Sequence, residues 1–254
     1  MNNPERKKSI ADFFLFITEI LSELGTIRKN RHASSVVVIR QILFTGVEAL
    51  PLIGFIALAI GGLVIMQGYN MLSSFGQGIW VHKILVQVVV VELSGIITAL
   101  VVIARSGTAI STELGNMVVS REMNLLKSIG IAPIGYLVVS RIIGVVIAVI
   151  VLTMYFNVIA VLGGWLFSQF FTHLEFRAFM NDFFSVLKLS NVLNSLLKTI
   201  VFGLIIAVTA SYQGMSVQRA STEVPQRTIR AVVFSIFAVI ISDISITWLF
   251  WMFS

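Results

Sequence analysis

Long apolar runs alternate with short polar segments along the chain of 254 residues. Five of these runs reach the roughly 20 apolar residues that a helix needs to cross a bilayer. The five runs are 49–69, 84–104, 142–162, 193–212 and 231–252. The pattern therefore predicts an all-α integral membrane protein with five transmembrane helices, folded as a single domain over residues 1–254.

A shorter apolar run, 36–44, precedes the first span and contains Arg40. We interpret this run as an interfacial lead-in, because it is short and a charged side chain is costly inside a bilayer. The pattern leaves open whether 36–48 belongs to the first span or forms a separate interfacial helix. A sixth span is the alternative count.

The N-terminal stretch has the pattern of an amphipathic helix. Charged residues such as Asp12 and Glu19 interrupt it, which argues against a secretory signal. Its apolar residues at helical spacing are Ile10, Phe13, Phe14, Ile17, Ile20, Leu21 and Leu24. We therefore predict a helix over 9–31 that lies on the membrane surface.

The segment 168–191 shows a second amphipathic pattern, in which phenylalanines alternate with single charges. It is too interrupted to form a span, so we predict a helix half-sunk in the outer interface of the membrane. Either a lipid-handling role or a plain anchoring role fits this pattern.

The composition agrees with a membrane protein. Hydrophobic residues make up 57% of the chain and charged residues 12%, against about 25% charged residues in soluble domains. The absence of cysteine excludes disulfides, thiolate metal sites and cysteine nucleophiles. The net charge of +6 fits either a nucleic-acid partner or the cytoplasmic face of a membrane, and the placement of the basic residues decides between them.

Basic residues are concentrated on one side of the predicted spans. Seven lie before the first span, four in 105–141 and three in 213–230, whereas the other side has only Lys83, Arg177 and Lys188. Because basic residues favour the cytoplasmic side, we predict a cytoplasmic N-terminus and a C-terminus on the far side. This placement favours the membrane over nucleic acid as the reason for the positive charge.

The cytoplasmic segment 105–141 contains a short predicted helix. Ser120 can cap its N-terminus, and Glu122 lies in its first turn, where negative charge is favourable. Gly130 can end the helix, and Pro133 prevents its continuation. The apolar residues of the helix are Met123, Leu125, Leu126 and Ile129. We predict that this helix docks into a partner, with an ordinary interfacial loop helix as the alternative.

Three ionisable residues, Glu92, Lys198 and Asp243, lie inside predicted spans. Such groups are costly in a bilayer and are candidates for function. We interpret Glu92 and Lys198 as a polar patch that lines a cavity, or else as a structural ion pair or an interhelical hydrogen bond. Asp243 lies among hydroxyl residues, including Thr247, and these neighbours favour a role in helix packing.

Motifs of membrane enzymes are absent from the sequence. The chain contains no H-E-x-x-H, no G-x-S-x-G and no G-x-x-x-x-G-K-[ST] motif. The sequence therefore offers no set of catalytic residues for an enzyme, and we predict no cofactor or metal site. If the protein moves a substrate uphill, the energy must come from another polypeptide or from an ion gradient. An ion-coupled small-molecule transporter or channel that uses Glu92 and Asp243 is therefore one hypothesis, although clear internal repeats and broken helices are missing.

A longer motif lies in the cytoplasmic segment. The chain reads A-R-S-G-T-A-I-S-T-E-L-G-N-M from Ala104 and E-M-N-L-L-K-S-I-G-I-A-P-I-G-Y-L-V-V-S-R from Glu122. These residues resemble the patterns G-R-A-G-S-A-x-x-A-E-x-G-x-M and E-x-x-A-L-x-x-M-G-I-D-P-x-x-x-L-V-x-P-R of the MlaE family of ABC-transporter permeases. Further matches are Gln67-Gly68-Tyr69, Lys198 and E-V-P-Q-R-T-I-R-A-V-V from Glu223. The resemblance is collinear over 41–253.

The resemblance implies an N-terminal interfacial helix, five spans and a cytoplasmic coupling helix, in a homodimer in the bacterial inner membrane. It implies that each copy docks on an ABC ATPase subunit, that an MCE-domain protein lies on the periplasmic side, and that phospholipid moves between the inner and outer membranes. The chain would then be a non-catalytic subunit, with Glu92 and Lys198 lining the lipid cavity. The residues implied at the ATPase contact are Glu113, Glu122, Met123, Leu125, Leu126, Ile129 and Gly130.

The chain departs from the family pattern at several positions. The family's R-E-L-G-P segment is V-E-L-S-G here, so Val91 stands where the family has arginine. Ala132 replaces the aspartate before Pro133, and Ser140 replaces the proline before Arg141. These differences mark the chain as a divergent member.

Overall fold

The computed structural model describes residues 4–23, 31–72, 78–170, 175–218 and 220–253. Within these residues the chain is almost entirely helical and has no β-strand. The predicted all-α class is therefore confirmed.

Five helices of the described chain are long and apolar enough to cross a membrane. They are Ser35–Tyr69, Trp80–Val119, Ile134–Ser168, Leu189–Met215 and Glu223–Met252. Each of them contains one of the five predicted apolar runs. The five-span prediction is therefore confirmed, and the protein is a multi-pass integral membrane protein.

The helices are numbered in chain order. They are α1 (Pro4–Glu23), α2 (Arg31–Gly46), α3 (Leu50–Leu72), α4 (Gly78–Ile84), α5 (Ser94–Val102), α6 (Thr108–Val119), α7 (Glu122–Ser128), α8 (Ser140–Ser168), α9 (Phe176–Val186), α10 (Leu189–Met215) and α11 (Glu223–Phe253). Three π-helical segments also occur in the described chain, at Leu85–Leu93, Ile103–Gly107 and Ile134–Val139, together with a 3₁₀ turn at Val47–Ala49. The second span is consequently a composite of α4, α5, α6 and two π-helical segments.

The lead-in to the first span is helical. Helix α2, the 3₁₀ turn Val47–Ala49 and α3 follow one another without a break, and the spanning helix is continuous over Ser35–Tyr69. Residues 36–48 are therefore joined to the first span as one helical run and do not form a sixth span.

Helix α1 confirms the helical part of the N-terminal prediction, although residues 24–30 of the predicted 9–31 helix lie outside the described residues. One side of the helix packs on α10: the ring of Phe13 lies edge-on to Tyr212 at 5.0 Å between centroids, and the ring of Phe16 lies 5.6 Å from it. Phe14 and Leu21 are exposed. The helix thus has a buried side and an apolar exposed side, as an interfacial helix requires.

The segment between the third and fourth spans also forms a helix, α9, while residues 171–174 of the predicted 168–191 segment lie outside the described residues. Phe179 and Phe183 are buried and Phe184 is exposed. The ring of Phe179 packs at 4.8 Å from that of His82. Phe179 therefore anchors α9 to α4.

The chain forms two compact units. Unit 1 consists of Met1–Thr45, Val102–Ile147 and Gly203–Ala238, and unit 2 of Gly46–Val101, Ala148–Phe202 and Val239–Ser254. Unit 1 buries Ile110, Leu114, Val138, Val145 and Ile206, and unit 2 buries Ile53, Leu85, Leu152, Phe156 and Phe202. Each unit thus has an apolar core of its own, assembled from several helices.

Two glycines let α3 and α8 approach closely within unit 2. A Cβ atom at Gly61 would lie 1.9 Å from the carbonyl oxygen of Ala160, and one at Gly163 would lie 2.6 Å from the carbonyl oxygen of Leu58. Small residues at such positions let membrane helices pack backbone against backbone. No larger residue fits at Gly61 without moving one of the two helices.

We predict that Gly61→Ala destabilises the protein by about 1–3 kcal/mol, because the added methyl group overpacks the contact between α3 and α8. The measurement is the melting temperature of the purified protein in detergent. Gly46→Ala is the matched control, since a Cβ atom there meets only the Cβ of Ala148, at 3.9 Å. Equal melting temperatures for the two variants would contradict the proposed close contact.

Candidate functional site

Three ionisable side chains from three spanning helices meet within unit 2. The Nζ atom of Lys198 lies 2.6 Å from Oε2 of Glu92 and 2.9 Å from Oδ1 of Asp243. The Lys198 side chain is 1% exposed, that of Asp243 10% and that of Glu92 27%. One buried ammonium group is therefore shared by two carboxylates, and we call these three residues the ion network.

Helix α11 contributes two polar groups to this network. Asp243 and Thr247 are four residues apart and so lie on the same face of the helix. The Oγ1 hydroxyl of Thr247 lies 3.3 and 3.4 Å from the two carboxylate oxygens of Glu92, to which it donates. Helix α11 thus contacts Lys198 through Asp243 and Glu92 through Thr247.

The π-helical segment Leu85–Leu93 positions Glu92. At its end, the backbone N–H of Ser94 bonds to the carbonyl of Val89, five residues earlier, and the Ser94 hydroxyl donates to the carbonyl of Val90. Such widened turns redirect side chains and are frequent at functional sites. The widened segment presents Glu92 to α10 and α11.

The charges of the network do not balance: with all three groups ionised, two carboxylates face one ammonium. Isolated charges are unstable in a bilayer, and the pairing offsets that cost for Lys198. In that fully ionised state the excess charge is negative, and Glu92 is the most exposed member. The network can therefore accept hydrogen bonds or positive charge at Glu92.

An ion pair between Glu92 and Lys198 was one of the interpretations that the sequence offered, and it is confirmed. The sequence did not foresee that Asp243 shares the same ammonium group, because Asp243 was expected to serve in helix packing. The spacing of Asp243 and Thr247 on one helical face was the available signal.

A small cavity of about 80 Å³ lies nearby, lined in part by Asn157, Ser195 and Thr199, and it does not include the ion network.

A second candidate region, in unit 1, is the turn between α6 and α7. Arg121 lies in the left-handed region, with φ 63°, and turns the chain between the two helices. The hydroxyl of Ser120 donates to the carbonyl of Asn116 at 2.6 Å and to Oε1 of Glu122 at 3.1 Å. The prediction that Ser120 caps the following helix is therefore wrong, because its side chain bonds back to the end of α6.

The end of α7 matches the prediction. Gly130 has φ 79°, its N–H bonds to the carbonyl of Lys127 at 3.1 Å, and the N–H of Ile131 bonds to the carbonyl of Leu126 at 2.9 Å. This pair of bonds is a Schellman motif, which needs a left-handed residue that glycine adopts without strain. The stop at Gly130 is confirmed.

Helix α7 and its C-cap residue, Ile129, expose an apolar edge. Leu125 and Ile129 are 64% and 69% exposed and stand four residues apart, while Leu126 is half-buried. Met123, which the sequence placed with them, is buried instead. It anchors α7, whereas Leu125 and Ile129 face outward.

An ion pair connects α6 to the start of the third span. Nη2 of Arg141 lies 2.8 Å from Oε1 of Glu113. The Arg141 side chain is buried and that of Glu113 is largely exposed. Glu113, one of the residues implied at the ATPase contact, is therefore held by the first turn of α8.

The chain as a whole is similar to known proteins. The sequence profile of a family described as Permease MlaE matches residues 38–249. Two proteins described as probable ABC transporter permeases are each 30% identical to the chain: one from Rickettsia felis over 243 residues, covering 96% of this chain and 92% of the relative, and one from Rickettsia typhi over 210 residues, covering 83% and 81%. The intermembrane phospholipid transport system permease protein MlaE of Haemophilus influenzae is 26% identical over 214 residues, covering 82% and 80%.

We predict that Lys198→Met destabilises the protein by about 3–5 kcal/mol, because it leaves two carboxylates in the membrane without a cation. The double variant with Asp243→Asn should recover part of this loss, since it removes one of the two charges. The readout is the melting temperature in detergent. Lys188→Met, which removes an exposed lysine in the same unit, should have no effect; an equally small effect of Lys198→Met would contradict the prediction.

Proposed function

Because the chain belongs to the MlaE permease family, we propose that it serves a transporter that moves phospholipids between the inner and outer membranes of a bacterium. As a family member it is a membrane permease subunit of an ABC transporter, a transport subunit that works with an ATPase. The phospholipid cargo is supported by the description of the Haemophilus influenzae relative. The family match over 38–249 is the observation that carries the proposal.

The ATPase contact is proposed at the exposed edge of α7. Leu125 and Ile129 lie in a segment that the distribution of basic residues assigns to the cytoplasm, and an exposed apolar pair there favours a protein partner. Met123 and the Schellman motif at Gly130 fix the helix at both ends. A movement of α7 would reach α8 through α6 and the Glu113–Arg141 pair.

The lipid contact is proposed at the ion network. Its excess negative charge suits the amine and hydroxyl groups of phospholipid headgroups, and Glu92 is the member exposed to receive them. We place the lipid cavity between two copies of the chain in a homodimer. An MCE-domain protein would exchange lipid with this cavity on the periplasmic side.

The orientation of the chain is part of the proposal. The excess of basic residues before the first span, in 105–141 and in 213–230 supports an inner-membrane protein with a cytoplasmic N-terminus. In that orientation α7 meets an ATPase in the cytoplasm.

We predict that the double variant Leu125→Glu/Ile129→Glu loses the ATPase subunit during purification, because it puts charge into a buried apolar contact. The measurement is the ratio of ATPase to permease after affinity purification of the tagged permease. The control Asn124→Glu adds a charge at an exposed position on the same helix and should retain the ATPase. Full retention of the ATPase by the double variant would contradict the proposed docking site.

We predict that Glu92→Gln lowers the amount of phospholipid that co-purifies with the transporter, because it removes the charge of the most exposed carboxylate of the network. The change keeps the shape of the side chain and leaves the Lys198–Asp243 pair in place, so the fold should survive. Lipid is counted per permease by mass spectrometry. The control Glu175→Gln neutralises an exposed carboxylate of unit 2 outside the spans, and an equal lipid content in both variants would remove Glu92 from the cavity.

A further inference from the structure

A cavity of about 450 Å³ lies entirely within unit 1. Helices α2 and α6, the π-helical segment Ile134–Val139 and the start of α8 form its walls. Its polar side chains are Arg40, Gln41, Glu113, Tyr136 and Arg141. We call it the arginine cavity; it shares no residue with the ion network.

Arg141 is an incompletely bonded arginine in the wall of this cavity. The residue is 4% exposed, and its Nη2 pairs with Glu113. Its Nη1 is buried and has no hydrogen-bond partner among the described residues. A buried charged donor without an acceptor is costly, so the cavity lacks an acceptor at this position.

The charge of the cavity favours an anion. Arg40 is exposed and makes no ion pair with any described residue. The two guanidinium groups outweigh the single carboxylate of Glu113, which is already held by Arg141, and leave one net positive charge. Guanidinium groups match the geometry of phosphate oxygens and bind them with paired hydrogen bonds.

The position of the cavity favours a lipid as the source of that anion. Arg40 and Arg141 lie in the first few turns of the spanning helices Ser35–Tyr69 and Ile134–Ser168. Both precede the predicted apolar runs 49–69 and 142–162, so both lie near the ends of the spans on the same predicted side of the membrane. Lipid phosphates lie at this boundary. Helix α2 continues the cavity wall with Val36 and with the neighbouring exposed side chains of Ile39 and Leu43, along which an acyl chain can lie.

We propose that the arginine cavity binds the phosphodiester of an anionic membrane lipid between Arg40 and Nη1 of Arg141, with an acyl chain along α2. Basic pockets between membrane helices on the cytoplasmic side bind such headgroups. The site is separate from the proposed cargo site, and it depends on the chain being a membrane protein with the predicted orientation. It would join α2 to α6 and α8 through a bound lipid.

The experiment uses the full chain, purified in detergent and titrated with dioctanoyl phosphatidylglycerol, with bound lipids counted by native mass spectrometry. Arg40→Gln should weaken one lipid-binding event about fivefold, the effect of one basic residue near a lipid surface. Arg141→Lys keeps the positive charge beside Glu113 but removes the second guanidinium nitrogen, so it should weaken the same event. Arg230→Gln, which removes an exposed arginine outside the cavity, should have no effect.

Two further ligands test whether the bound anion is the phosphate of a lipid or free inorganic phosphate. Dioctanoylglycerol, which lacks the phosphate, should show no binding that depends on Arg40, and inorganic phosphate should not displace the lipid. Equal lipid binding by the wild type and Arg40→Gln would overturn the proposal. So would inorganic phosphate that binds as tightly as the lipid with the same dependence on Arg40.

The ATPase supplies the remaining control. If Arg40→Gln loses the ATPase subunit during purification while lipid binding is unchanged, the cavity binds a carboxylate of a protein partner, and the lipid proposal is wrong. Glu92→Gln reports separately on the cargo site: it should leave the binding event that depends on Arg40 intact. An error in the proposal for the arginine cavity can therefore be distinguished from an error in the proposal for the cargo site.

Discussion

The ammonium group of Lys198 is the charge on which the packing of unit 2 depends. It lies within the fourth span, is almost fully buried, and contacts carboxylates from two other spans. No water is available in a bilayer to replace those contacts. The rotation of α10, α11 and the π-helical segment Leu85–Leu93 about their axes is therefore fixed by the need to bring these three groups together.

Most of the remaining surface places weak constraints on the packing. Helix α11 exposes large side chains such as Phe237, Ile241 and Trp251, and in lipid such exposure costs little because acyl chains are as apolar as the protein interior. Specific packing must then come from a few contacts of other kinds. Backbone contacts at Gly61 and Gly163 supply one kind, and the hydrogen bond between the hydroxyls of Thr209 and Ser235 in unit 1 supplies another.

The sequence predicted those features that depend on length or on a single residue. A span needs a certain number of apolar residues, so all five were found, and a left-handed helix stop favours glycine, so Gly130 was identified. The features that were missed depend on neighbours in space. Ser120 bonds back to Asn116 and Met123 turns inward, and neither contact leaves a periodic pattern in the chain. Asp243 shares the ammonium of Lys198, and its four-residue spacing from Thr247 was the only sequence signal of this contact. The π-helical segment Leu85–Leu93 that positions Glu92 has no simple sequence signal either.

The two candidate regions have different chemical requirements, and together they fit a permease driven by a separate ATPase. An apolar edge on α7 suits a protein partner, whereas an ion network with one excess carboxylate suits a polar or cationic ligand. The same network would also suit a transporter coupled to protons or sodium ions, in which Glu92 and Asp243 bind the ion. The source of energy therefore distinguishes the two mechanisms.

The most direct test reconstitutes the chain with its ATPase subunit in proteoliposomes that contain a fluorescent phospholipid, and follows transfer of that lipid to an acceptor carrier protein. An ABC permease should transfer lipid only when ATP is added, and a hydrolysis-deficient ATPase should abolish the transfer. Transfer by the isolated chain under a proton or sodium gradient, without any need for ATP, would contradict the account.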